Sequence, residues 1–139
     1  MSKYVKQSTP GTTSIATTST TDEYIIAAKT GVLAAAVFTP LAALAAHDTN
    51  YVTFAITNLG AAGSGSAAML AATDANTTKS TGGTALSAST KRALTLSSTT
   101  ADLAVTEGDC LRLRATASGT LAGAVTRPVW QISIKTAQR

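Results

Sequence analysis

In "YVTFAITN", Tyr51 to Asn58, the apolar residues Val52, Phe54 and Ile56 alternate with Tyr51, Thr53, Ala55 and Thr57. Period-two alternation is the pattern of a strand with one buried face. It recurs down the chain. Leu94 and Leu96 alternate with Thr95 and Ser97. Leu103 and Val105 alternate with Ala104 and Thr106. Leu111 and Leu113 alternate with Arg112 and Arg114. Trp130, Ile132 and Ile134 alternate with Gln131, Ser133 and Lys135. Between these runs lie turn-forming clusters: "NLGAAGSGS", "DANTTKSTGG", "TEGD" and "ASGTLAG". Short alternating strands with such punctuation predict an all-β sandwich. About eight strands fit, the number of a jelly roll. The expected core is Val52, Phe54, Ile56, Leu94, Leu96, Leu111, Leu113, Trp130 and Ile132.

The first third reads less cleanly. "TTDE", Thr20 to Glu23, matches a helix capping box. Ile25, Ile26 and the nearby Gly31 argue instead for a strand over "EYIIAAK" and a turn at Thr30-Gly31. "VLAAAVFTPLAAL" mixes helix-favouring Ala and Leu with strand-favouring Val32, Val37, Phe38 and Thr39, and Pro40 breaks either element. The reading taken is a strand over Val32 to Phe38. Met1 to Thr21 is a Thr/Ser-rich arm with Pro10-Gly11 and few large apolar residues. The expected division is an extended arm over 1–21 and a β-sandwich over 22–139. Fixing the arm costs about 1–2 kcal/mol of backbone entropy per residue. A neighbouring subunit is the expected source of compensating contacts, with Tyr4, Val5 and Ile15 as anchors buried against it.

Chemistry is scarce in this chain. Of 139 residues only 13% are charged and 4% aromatic, while about one in five is Thr. A catalytic site needs titratable groups with shifted pKa. The net charge of +4 comes from scattered Lys and Arg, not from a basic patch interleaved with aromatics, so no nucleic-acid partner is expected. The lone Cys110 rules out an internal disulfide and a multi-cysteine zinc site; it fits a half-buried strand start. The first residues hold no apolar stretch like a signal peptide. The apolar run from Val32 to Ala46 is too short to span a bilayer. A soluble protein made in a reducing cytoplasm, with no membrane partner, is the expectation.

Each motif has a structural reading beside its functional one. His47-Asp48 resembles half of a general base, but Asp48, Thr49 and Asn50 are all turn residues that bond nearby backbone. No second His exists to build a metal site. "GAAGSGS", Gly60 to Ser66, lacks the spacing of a dinucleotide fingerprint and of a P-loop; it reads as a surface loop. "NTT" at Asn76 fits a glycosylation acceptor by chance. Asp48, Asp74, Asp102, Glu107 and Asp109 offer loop oxygens for calcium but form no calcium-loop motif. Asp109 reads as the shaper of the turn before Leu111. Arg112 and Arg114 share one strand face, outside the core, and suit an acidic partner surface. No enzyme, cofactor or metal is expected.

The segment from Leu41 to Thr120 resembles the jelly-roll decoration, or cement, proteins of tailed bacteriophage heads. The residues that carry this are "LAALAAHDTNYVTFAITNLGAAGSGS", "TGGTAL" and "VTEGDCLRLRATASGT". The resemblance implies homotrimers on the outer surface of a virion, bridging copies of a major capsid protein. The alternative is a glycan-binding or host-adhesion module on a virion surface. Sugar sites favour exposed Trp or Tyr platforms, and Trp130 follows the core phase of its strand.

Overall fold

The computed structural model describes residues 2–137. Nine strands form: β1 (Ser2–Ser8), β2 (Thr20–Ile26), β3 (Gly31–Thr39), β4 (Tyr51–Asn58), β5 (Ala67–Ala68), β6 (Arg92–Ala93), β7 (Ala104–Val105), β8 (Cys110–Ser118) and β9 (Val129–Ala137). Two short 3-10 turns lie at Asp74–Asn76 and Thr100–Leu103. The first sheet runs β1-β9-β3, with β6 and β7 both on the far edge of β3. The second runs β2-β8-β4-β5. All pairings are antiparallel. If β6 and β7 are taken as one interrupted strand, the pairs nest: β1 with β9, β2 with β8, β3 with β6/β7, β4 with β5. This is a long hairpin rolled across two sheets, the jelly roll expected from about eight short strands.

Side chains of the two inner faces meet between the sheets, as in any aligned sandwich. β4 contributes Val52, Phe54 and Ile56; β8 contributes Leu111, Leu113 and Ala115; β9 contributes Trp130, Ile132 and Ile134. Phe38, Phe54 and Trp130 form an aromatic cluster at the centre. The Phe38–Phe54 centroids lie 4.5 Å apart, and Trp130 stands edge-on to both rings at 5.1 and 5.8 Å. Of the expected core, only Leu96 is partly exposed, packed against the rest.

The ambiguous alanine run has a physical cause. The β3–β9 register shifts between Leu33 and Ala35. Leu33 faces inward before this bulge, and Ala36 and Phe38 face inward after it. The extra residue flips the parity, so no single period describes the strand.

Residues 2–21 belong to the roll. β1 pairs with β9 from Ser2↔Ala137 to Ser8↔Gln131. Thr9 N–H continues the ladder to Trp130 O at 2.9 Å. Ile15 bridges Val125 and is 1% exposed within its own chain's core. Ile15 was expected to anchor on another chain; its own sandwich buries it instead. No structural break falls at 21/22, because β2 begins at Thr20.

Candidate functional site

The groups that looked most chemical hold the loops. His47 Nδ1 accepts hydrogen bonds from Thr49 N–H and Asn50 N–H, both at 3.0 Å. That is the geometry of a side chain capping a turn. Asp48 accepts Thr81 N–H at 2.7 Å and Thr81 Oγ–H at 3.1 Å. The Thr81 backbone hydrogen bond, foremost, holds the Asp48 carboxyl below its usual range. Asp109 Oδ2 accepts Thr106 N–H at 2.9 Å and the Asn58 amide at 3.0 Å. Gly108 between them takes φ +95°, which a side chain rarely tolerates. Asp109 is therefore the turn-shaper expected before Leu111. Among the described residues, no three His, Cys, Asp or Glu side chains gather in one place.

Asn76 of the "NTT" motif is buried. Its Nδ2 donates to Ala71 O and Thr95 O, both at 2.8 Å, and its Oδ1 accepts Thr95 N–H at 2.7 Å. Its amide is fully engaged inside the fold.

Sequence reasoning missed Arg92. Its guanidinium sits 5.3 Å from the Phe54 ring centroid and donates to the main-chain oxygens of Thr84, Ala75 and Thr77. Burial lowers its pKa from the usual arginine range, yet that range is high enough to keep the group charged. Nothing in the sequence separates Arg92 from the other scattered cations. Asn58 was legible, because it continues the inward parity of Val52, Phe54 and Ile56. A polar residue at that phase must find buried partners, here Asp109 and Ala104 O.

Arg112 and Arg114 stand on the outer face of β8. Arg114 holds Asp22 of β2 with both ends of its fork, at 2.8 and 2.9 Å. The Arg114 hydrogen bond pulls the Asp22 carboxyl below its usual range and raises Arg114 in turn. Arg112 lies in register between Tyr24 and Thr57, and its Nε has no partner. Cys110 is half-buried at the first residue of the same strand.

Two surface features remain. A cleft of about 350 Å3 lies beside β4, where the chain after β5 swings outward; Tyr51, Thr53, Leu70, Asp74 and Lys79 help line it. Lys79 Nζ stands 4.9 Å from the Tyr51 ring centroid and 2.9 Å from Asp74 Oδ1. On the opposite side of the roll, β1 and β2 are the outermost strands of their sheets. There Tyr4 is 59% exposed, Tyr24 55% and Ile26 57%. Val5, next to Tyr4, is half-buried. Set against protein-family models, characterised proteins and solved structures, the chain matches none.

Proposed function

We propose that this chain is a structural virion protein: a homotrimer that sits on the outer surface of a bacteriophage capsid and bridges major capsid protein subunits. One observation carries the reading. The loop side chains that looked most chemical are spent on hydrogen bonds to main chain, while four of the exposed large apolar residues stand on strands and Leu41 just after one. His47, Asp48 and Asp109 are occupied by their own backbone. Tyr4, Tyr24, Ile26, Val32 and Leu41 stay exposed. Exposed Tyr and Ile on rigid strands serve contact, with Tyr and Arg the favoured anchors of protein interfaces. The resemblance of Leu41 to Thr120 to phage decoration proteins supplies the partner. Many copies, each bridging neighbours weakly, would add by multivalency.

The pairing of Arg114 with Asp22 sharpens the electrostatic part. Arg114 is neutralised in its own chain, so Arg112 is the cation of that face offered to an acidic capsid surface. Co-sedimentation of the protein with undecorated capsids tests this. Arg112→Glu should lower occupancy at low salt and converge with the unmodified protein as salt screens the contact. Absence of co-sedimentation at any salt would overturn the reading.

A second reading, a glycan-binding module, is favoured by the cleft beside β4, which joins an aromatic ring, hydroxyls and one ion pair. A glycan-array screen that lights up and is lost on Tyr51→Ala would favour it.

A further inference from the structure

We infer that the open side of the roll is a self-association surface, in which β1 of one copy pairs edge to edge with β2 of the next. This rests on the homotrimer proposed above and names the surface that would build it.

The backbone comes first. Thr9 N–H bonds Trp130 O at 2.9 Å, so the odd residues of β1 face β9 and the even ones face away. Ala27 N–H bonds Asp109 O at 2.8 Å, and Ala117 N–H bonds Ser19 O at 3.1 Å. The odd residues of β2 therefore face β8. That leaves the N–H and C=O groups of Tyr4, Lys6 and Ser8 on β1, and of Thr20, Asp22 and Tyr24 on β2, pointing outward. Among the described residues β1 pairs only with β9 and β2 only with β8, so these main-chain groups have no ladder partner. The free edges match in length, each strand having seven residues. Gln7 marks one end: its Nε2 donates to Ile26 O at 2.8 Å and its Oε1 accepts Ala28 N–H at 3.0 Å. That bridge ties the two strands together on one side of the molecule.

Side chains give an independent argument. Among the described residues, three of the five exposed large apolar ones, Tyr4, Tyr24 and Ile26, stand on these two strands. A long edge with apolar flanks is a template for another strand.

Charge selects the partner. β1 carries Lys3 and Lys6 and no acid; β2 carries Asp22 and Glu23 and no base. Arg112 and Arg114 lie one strand further in, on β8, and Asp22 is held by Arg114. Glu23 Oε1 is buried with no hydrogen-bond partner. Pairing β1 with β1 would oppose lysines, and pairing β2 with β2 would oppose carboxylates; both are unfavourable across a ladder. Pairing β1 with β2 brings exposed lysines towards the unsatisfied glutamate. The contact is heterologous, so it closes into a ring when the rotation allows. In the trimer, three such ladders surround the threefold axis.

Light scattering after gel filtration, on the isolated full-length protein at micromolar concentration, tests this without a capsid. The unmodified protein should run as a closed oligomer. Lys6→Pro removes an outward N–H that no bond in the chain uses, a substitution edge strands tolerate. It should weaken association at least about tenfold, the effect of losing roughly 1.4 kcal/mol of contact, with the far-ultraviolet circular dichroism unchanged. Lys3→Glu with Lys6→Glu should do the same by charge, and guards against a local effect of proline. A monomer at 100 μM on the order of typical weak-complex tests, or an oligomer indifferent to all these changes, would overturn the inference. Capsid binding is scored separately, so a monomer that still co-sediments refutes this surface and not the capsid reading.

Discussion

The two sides of the roll meet the same hazard in opposite ways. On one side the edges of β3 and β4 are closed by the excursion between β4 and β8. Leu94 N–H returns to Ala36 O, Met69 N–H to Ile56 O, and Thr78 N–H to Val52 O, all at 2.8–2.9 Å. Arg92 and Asn76 stitch that excursion together from within. On the other side, β1 and β2 carry free backbone and exposed aromatic rings, with only Gln7 between them. A strand edge must be covered or blunted to stay soluble. The chain devotes more than a quarter of its length to covering one side and leaves the other edged by lysines. Under the self-association proposed above, the closed side serves stability and the open one assembly.

Removing the open side's first strand should break that division most severely. Deleting Met1 to Thr21 strips the ladder from β9 and takes Ile15 out of the core. Loss of a buried isoleucine alone costs about 2–5 kcal/mol, against a total stability of about 5–15 kcal/mol. The truncated chain should therefore show no cooperative thermal transition by circular dichroism. A sharp transition near that of the full chain would restore 22–139 as an autonomous domain.

Arg92→Ala tests the closed side at a single position. It leaves three main-chain oxygens without their charged donor and uncovers the face of Phe54. Breaking such a partly buried charged network should cost about 2–4 kcal/mol, read as a lower midpoint in urea with unchanged slope. Association, if it belongs to the open side, should survive at temperatures where the variant is folded. Loss of association in a folded Arg92→Ala variant would blur the two sides into one.

Why one side was legible in the sequence and the other was not follows from the same contrast. β4, β8 and β9 alternate because one face is buried and the other wet, and their core residues were readable by parity. β1 hides because its inward positions are Lys3, Val5 and Gln7, at the thin margin of the sandwich where only Val5 is apolar. Its seven-residue ladder depends on β9, more than a hundred residues away, and local composition carries no trace of that. The excursion was misjudged for a related reason. Leu94 and Leu96 do alternate, but β6 spans only Arg92–Ala93, and Leu96 joins Leu70 through an isolated bridge. Likewise Leu103 ends a 3-10 turn and does not open a strand. Of the candidate site, His47, Asp48 and Asp109 were legible as turn residues. The clamp of Arg92 was not, since it converges on oxygens from three loop positions.

The smallest expected effect lies on the open side, in the pair that fastens β2 to β8. Arg114 holds the Asp22 carboxyl below its unfolded value of 3.8. A carboxyl lowered on folding stabilises the native state above its unfolded pKa and loses that contribution as pH falls through its folded pKa. Asp22→Asn should therefore be less stable than the unmodified protein at pH 6, and the gap should close as the pH falls below 3.8 and through the lowered folded value. The pair is partly exposed, so solvent screening limits the gap to under about 1 kcal/mol. Urea midpoints at several pH values resolve it, and high salt should shrink it. Asp48, held low by Thr81, titrates in both proteins and cancels in the difference. If the gap persists unchanged at low pH, the contribution of Asp22 is not ionic. β2 would then be secured by its ladder to β8 alone, leaving Asp22 free to meet a lysine of the neighbouring copy.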